Sequence, residues 1–343
     1  MPGHDIIVVG ASAGGVEALS RLARGLPHNL PASLFVVLHI SAQMPSILPQ
    51  ILTRAGSLPA AHAVDGERIE RGRIYVAPPD NHLLLEDGHM RVVHGPKENR
   101  YRPAVDPLFR SAAIAYGTRV VGVVLTGALD DGTTGMLAVK KRGGTSVIQD
   151  PREAMYSGMP QNVAQNVEVD YRLPIDEIAP LLVRLSDQPA LEEGAYPVTD
   201  ELRIENRIAE QEMDTEGLLK SVGELGALSS FTCPECHGTL WELRHGELLR
   251  FRCHVGHAFS AESLVVEQSQ ELENALWSAL RSLEEKATLT RRMAKRARER
   301  RMERAADNFE AKAESAARHA EVVRQVLLNG RETDVGDNHR EQL

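Results

Sequence analysis

Cysteine, positive charge and long apolar runs are all scarce in this chain of 343 residues. Its three cysteines all fall between Cys233 and Cys253. An odd, clustered set builds no disulfide framework and fits a reducing compartment. Acidic residues outnumber basic ones, 48 to 39, for a net charge of −9, so a general nucleic-acid binder is not expected. No apolar stretch approaches the ~20 residues of a membrane span, and a core-strand pattern begins by Ile6. Neither a signal peptide nor membrane insertion is therefore expected, and the cytoplasm is the expected location. Aromatics make up only 4%, which leaves the core to aliphatic side chains.

Hydrophobic content of 42% and charged content of 25% are ordinary for a folded chain, enough for a sizeable core spread over two or three domains. Residues 1–187 alternate strand-like and helix-like segments, the pattern of an α/β fold with a doubly wound, mostly parallel sheet. Ile6–Val9, Ser33–Leu38 and Val120–Leu125 are continuous apolar runs suited to strands buried on both faces. Residues 188–229 read as a polar linker and an acidic helix, and 230–259 hold every cysteine. Residues 260–329 read as helix throughout, and 330–343 as a polar, disordered tail.

The organising stretch is Asp5–Leu26, a strand, a run of small residues and a helix. Gly10-Ala11-Ser12-Ala13-Gly14 has the G-x-S-x-G form of a nucleophile elbow, in which small neighbours let the backbone turn and the hydroxyl stand clear. A phosphate-binding turn is the competing reading. Ser12 sits where a dinucleotide fingerprint needs its second glycine, however, and no Walker lysine follows. A serine nucleophile needs a base and a group to orient that base. Catalytic groups in open α/β sheets collect at the carboxyl ends of the strands. Ser12 after the first strand, His39 after the second, and Asp130 or Asp131 beyond Val120–Leu125 meet that rule.

The motifs VVGASAGG around Ser12, LHIS at His39, DGERIERGRIYVAPPDNHL from Asp65, GPKENRYRPAVDPLF from Gly95, VGVVLTGALDDGTTGM from Val121 and SGMP from Ser157 run in one order across the first ~186 residues. In this the chain resembles the catalytic domain of CheB-type chemotaxis protein-glutamate methylesterases. The resemblance implies Ser12 as nucleophile, His39 as general base and Asp131, immediately before Gly132, as its orienting group. It also implies removal of methyl esters from glutamyl γ-carboxylates of chemoreceptor-like helical proteins through an acyl-enzyme, with glutamine deamidation by the same chemistry and no catalytic cofactor. Arg100 and Arg102 are expected to position an acidic receptor helix. The best-known members carry an N-terminal receiver domain, and with a strand already at Ile6 that switch is not expected here. The alternative is a catalytically silent signalling adaptor that only binds partner helices.

Cys233-Pro-Glu-Cys236 and Cys253-His-Val-Gly-His257 have the spacing of a zinc ribbon, with Cys233, Cys236, Cys253 and His257 as ligands of a structural Zn²⁺ and His237 and His254 as reserves. Leu272, Leu276, Ala279 and Leu283, and then Met302, Ala306, Phe309, Ala313, Ala316, Ala320, Val323 and Leu327, repeat at coiled-coil spacing. The register breaks through Arg296–Arg301. A helical hairpin turning there is preferred over one long dimerising helix, and 260–329 is the expected site of a signalling partner or self-association.

Overall fold

A computed structural model describes residues 3–191, 196–211, 213–243 and 248–337. It divides into two compact units, Met1–Leu264 and Val265–Leu343.

The first unit is built on β1 (Ile6–Ala11), α1 (Gly15–Arg24), β2 (Ser33–Leu38), α2 (Leu48–Ala55), β3 (Ala60–His62) and β4 (Ile74–Val76). The hairpin β5 (His82–Glu86) and β6 (His89–Val93) follows, then α3 (Val105–Tyr116), β7 (Val120–Val124), α4 (Thr133–Lys141), β8 (Thr145–Gln149), α5 (Gly158–Asn166), β9 (Tyr171–Leu173) and α6 (Ile175–Ser186). Seven strands pair in the order β3-β4-β2-β1-β7-β8-β9, all parallel.

The period-2 geometry of β1 divides its side chains between two cores. Ile7, Val9 and Ala11 join the layer of α1, α2 and α6. Ile6 and Val8 join the layer of α3, α4 and α5. Because both faces are covered, β1 and β2 are buried along their whole length, which is why their sequences are continuously apolar. The chain runs outward from β1 through β2 and β4, then returns to the other side of β1 at β7. The switch point therefore lies beside β1, where a crevice opens at the carboxyl ends of the strands.

The expected acidic helix over Glu201–Leu228 is two helices, α7 (Asp200–Glu210) and α8 (Thr215–Leu225), each opened by a side-chain cap, Thr199 and Asp214. The next seven residues form β10 (Gly226–Thr232), the outer strand of an antiparallel sheet with β11 (Thr239–Leu243), β12 (Arg250–Cys253) and β13 (Ala258–Ser260). This antiparallel sheet thus begins at Gly226, before the 230 expected as the start of a ribbon. It packs on the α/β domain within one unit rather than hanging from a linker. Leu243 joins Ile208, Val222 and Leu225 in a small core.

α9 (Ala261–Glu299) begins at the end of the first unit, and from Val265 it forms with α10 (Glu303–Asp337) the antiparallel hairpin of the second, tied by ion pairs Arg298–Glu310 and Arg324–Glu284. The turn falls at the expected basic stretch. The seam of α9 differs from the expected register: Leu272 and Ala279 are exposed. Leu280, Ala287, Ala294 and Ala297 are buried instead, so the pattern continues into the basic stretch without a break. On α10 the expected Ala306, Ala313, Ala316, Ala320 and Leu327 are buried, while Met302 is exposed. The stretch expected as a tail is helical to Asp337; residues 338–343 lie outside the described residues. No helix among the described residues is long and apolar enough to cross a membrane.

Candidate active site

Ser12 directly follows β1, and its N–H donates to the Thr126 carbonyl beyond β7 (3.0 Å). The tight turn into α1 is taken by Gly14, whose φ of 73° lies in the left-handed region. Gly127, on the adjacent loop, carries a second steric demand. A Cβ there would meet the Met159 sulfur at 2.1 Å and the Ser12 Cβ at 2.9 Å. The small residues of both loops are what allow them to close around the hydroxyl.

His39, just after β2, brings its Nδ1 to 3.1 Å from Ser12 Oγ and its Nε2 to 2.7 Å from Asp131 Oδ2. With the proton on Nε2, the ring donates to Asp131 and leaves the Nδ1 lone pair to accept the serine proton. Tyr101 lies flat against the imidazole, ring centres 3.6 Å apart and planes 10° from parallel. Three side chains separated by as many as 119 positions therefore meet at one rim of the sheet, as the strand-end rule requires.

Asp131 is buried and saturated with donors. Oδ2 accepts from His39 and from the Val105 N–H at 2.7 Å. Oδ1 accepts from the Asn99 amide at 3.0 Å and the Asp106 N–H at 3.2 Å. Two of these donors belong to the first turn of α3, where backbone N–H groups lack intrahelical partners. Burial works against the charge, but His39 and these hydrogen bonds hold the Asp131 carboxyl below its usual range. Neighbouring Asp106 is driven the other way, to about 7, by burial and by the charge on Asp131. Asp130 is pushed up to about 6, mainly by burial, and accepts from the Ser260 hydroxyl (2.8 Å). Asp131, not Asp130, faces the histidine.

The triad opens on a groove of about 520 Å³ lined by Ser12, His39, Lys97, Arg100, Tyr101 and Arg102. Arg100 lines this groove. The Arg102 guanidinium holds Asp80 and the Gly95 carbonyl, so it shapes the wall. Sequence reading missed Asn99, Tyr101 and His82. Fully buried His82 accepts from the Ala104 N–H and donates to the Pro96 carbonyl, bracing both ends of the 96–104 loop; burial keeps its pKa low and the ring neutral.

The sequence profile of CheB methylesterases matches residues 7–182. The chain belongs to the CheB methylesterase family. A putative protein-glutamate methylesterase/protein-glutamine glutaminase of Leptospira interrogans is 37% identical over 191 residues, 55% of this chain and 98% of that protein. A protein-glutamate methylesterase/protein-glutamine glutaminase of Anaeromyxobacter dehalogenans is 38% identical over 182 residues, 53% of each. Among solved structures, the CheB methylesterase catalytic domain of Thermotoga maritima superposes with a TM-score of 0.52 at 35% identity, covering 54% of this chain and all of that one. The CheB match ends at residue 182, before the ribbon and the helical hairpin.

In the ribbon, Cys233, Cys236, Cys253 and His257 gather with their ligand atoms all within 4.8 Å of one another. Cys236 Sγ to Cys253 Sγ is 3.6 Å, and His257 Nδ1 lies 3.7 and 3.6 Å from the sulfurs of Cys233 and Cys253. Ligands about 2.3 Å from a tetrahedral Zn²⁺ stand ~3.8 Å apart, so the donor set fits that ion. The two reserve histidines lie outside the cluster.

Proposed function

We propose that this chain is a serine hydrolase that removes methyl esters from glutamyl side chains of chemoreceptor-like helical proteins, and deamidates glutamine at the same positions, through an acyl-enzyme on Ser12. The observation that carries this reading is the continuous relay Ser12 Oγ, His39, Asp131 at 3.1 and 2.7 Å, opening on a groove lined by cationic side chains.

The relay's geometry supports the following steps. Nδ1 of His39 takes the Ser12 proton as Oγ bonds to the ester carbonyl, and Asp131 stabilises the imidazolium. Among the described residues the N–H groups of Ala13 and Ala128 have no backbone acceptor, the condition for donating to the tetrahedral oxyanion. One such donor is worth about 3–4 kcal/mol of barrier. His39 returns the proton to the methoxy oxygen and methanol leaves. Water, deprotonated by His39, then attacks the acyl carbonyl; His39 returns that proton to the departing Ser12 Oγ, freeing glutamate and restoring the hydroxyl. With glutamine the leaving group is ammonia. Arg100 gives the groove positive charge to hold an acidic helix, while Lys97 and Arg102 are paired with Glu235 and Asp80.

The ribbon cysteines and His257 hold a structural Zn²⁺: four protein ligands leave no open position for catalysis. Methanol release from a methylated receptor fragment tests the hydrolase reading, with Ser12→Ala expected to abolish turnover while leaving the fold intact. Methanol release by S12A would refute the mechanism, and a wild-type chain that binds the fragment without releasing methanol would return the domain to an adaptor role.

A further inference from the structure

The ribbon reaches the triad. Residues 97–99 lie beside β13 and make one parallel bridge to it, Glu98 opposite Ala258. The Asn99 N–H donates to the Ala258 carbonyl at 2.8 Å, and the Ala258 N–H to the Lys97 carbonyl at 3.1 Å. The side chains repeat the pattern: Lys97 pairs with Glu235 at 2.7 Å, and Arg252 donates to Glu98 at 3.0 Å. Asn99 is the last link. The Ser260 N–H can only donate, and it points at Asn99 Oδ1 from 3.0 Å. That fixes which way the amide faces and turns Nδ2 toward Asp106 (2.9 Å) and Asp131 (3.0 Å).

Asn99 and Arg100 both adopt positive φ, 48° and 76°. Such backbone persists where surroundings over-determine it, and asparagine tolerates it better than most residues. The ribbon strand supplies that determination. Two residues further on, Tyr101 lies on His39, so the same short segment touches two members of the triad.

We propose that the ribbon is a positioning element of the active site: its metal-ordered β12–β13 edge sets Asn99, and Asn99 fixes the Asp131 carboxylate that aligns His39. Asn99 is a positioning residue, since it acts through Asp131 and does not touch the reacting atoms. The inference rests on the hydrolase and zinc readings above. It extends them by making the zinc module a condition of full reactivity at Ser12.

The test uses the full chain and a small fluorophosphonate, which reads the reactivity of Ser12 without any receptor. Removing zinc with a chelator is expected to free the amides of 97–99 to hydrogen exchange and to slow labelling about 10- to 100-fold, with both effects reversed by added zinc. Asn99→Gly keeps the left-handed backbone but deletes the amide. It is expected to slow labelling to the same degree with zinc bound, and zinc removal is expected to add little more. Without the Asn99 donor Asp131 becomes a stronger base and favours protonated His39, so the acid limb of the labelling rate should move to higher pH, a change that loss of stability alone does not produce. Wild-type labelling rate and pH profile in N99G would overturn the proposal. So would an unchanged rate in a zinc-free chain whose 97–99 amides exchange freely. A zinc-bound wild-type chain that never labels would instead overturn the hydrolase reading, and this inference with it.

Discussion

Glu98→Gln tests the energetics of ribbon docking. Glu98 lies between Arg110 of α3 and Arg252 of the ribbon, all three side chains at most 2% exposed. Arg110 grips the carboxylate with both nitrogens, at 2.9 and 3.2 Å, and Arg252 adds a third contact at 3.0 Å. Glu205 of α7 completes the cluster with Arg250 at 2.9 Å. A glutamine keeps one acceptor and turns its NH₂ toward guanidinium donors, leaving buried positive charge uncompensated. Breaking a buried ion pair on one side costs about 3–5 kcal/mol, a large part of the ~5–15 kcal/mol that holds a typical domain together. In thermal melts of zinc-bound protein this amounts to a drop of roughly 6–20 °C. Burial opposes ionisation of Glu98, but Arg110 and Arg252 outweigh it and hold the carboxyl far below its ordinary 4.5. A depressed folded-state pKa gives stability that is present above the unfolded value and lost as pH falls through the folded one. The gap between wild type and E98Q should thus be full at neutral pH and narrow progressively below about pH 4.5. Midpoints within about 2–4 °C of each other, the equivalent of about 1 kcal/mol, or a gap unchanged on acidification, would refute the view of this cluster as the clamp between α3 and the ribbon.

Three further outcomes are expected. Asp131→Asn should lower kcat roughly 10⁴-fold, by presenting His39 in the wrong tautomer, with circular dichroism unchanged; a loss below tenfold would remove Asp131 from the relay. Arg100→Glu should raise KM for a methylated receptor fragment about tenfold and leave kcat for a small ester nearly unchanged, since a groove charge acts on encounter and alignment; equal losses on both substrates would place Arg100 in the chemistry instead. Elemental analysis should find about one zinc per chain, lost in Cys236→Ser; full zinc retention in C236S would exclude that sulfur as a ligand.

The central strands were legible as continuous apolar runs, and the candidate residues were sought just beyond their carboxyl ends, Ser12 and His39 close behind and Asp131 in the loop six residues after Leu125, because that is where a doubly wound sheet collects its chemistry. The cysteine pairs were legible because chelation dictates short spacings. Other features left little local trace. β3 and β9 have three residues each, too few for a period to show. Gly226–Thr232 extends an apparently helical stretch, and only pairing with β11 makes it a strand. The α9 seam was misplaced by four residues because Leu276 and Leu283 belong to both registers, and only packing against α10 selects Leu280 over Ala279. Asn99 carried no signal, since its ribbon partner Ser260 lies 161 residues away. Arg110 was a missed clue: a lone arginine inside the apolar helix VDPLFRSAAIAY has to meet a buried counter-charge, and it meets Glu98.

The parallel stack of Tyr101 on His39 also dictates the proton's itinerary. Turning the imidazole about its Cβ–Cγ bond would sweep one edge of the ring through the phenol 3.6 Å away. The two nitrogens therefore cannot trade places within a catalytic cycle. Under the proposed mechanism, the proton lifted from the serine is handed to methanol from the same atom that received it, without ring-flip shuttling.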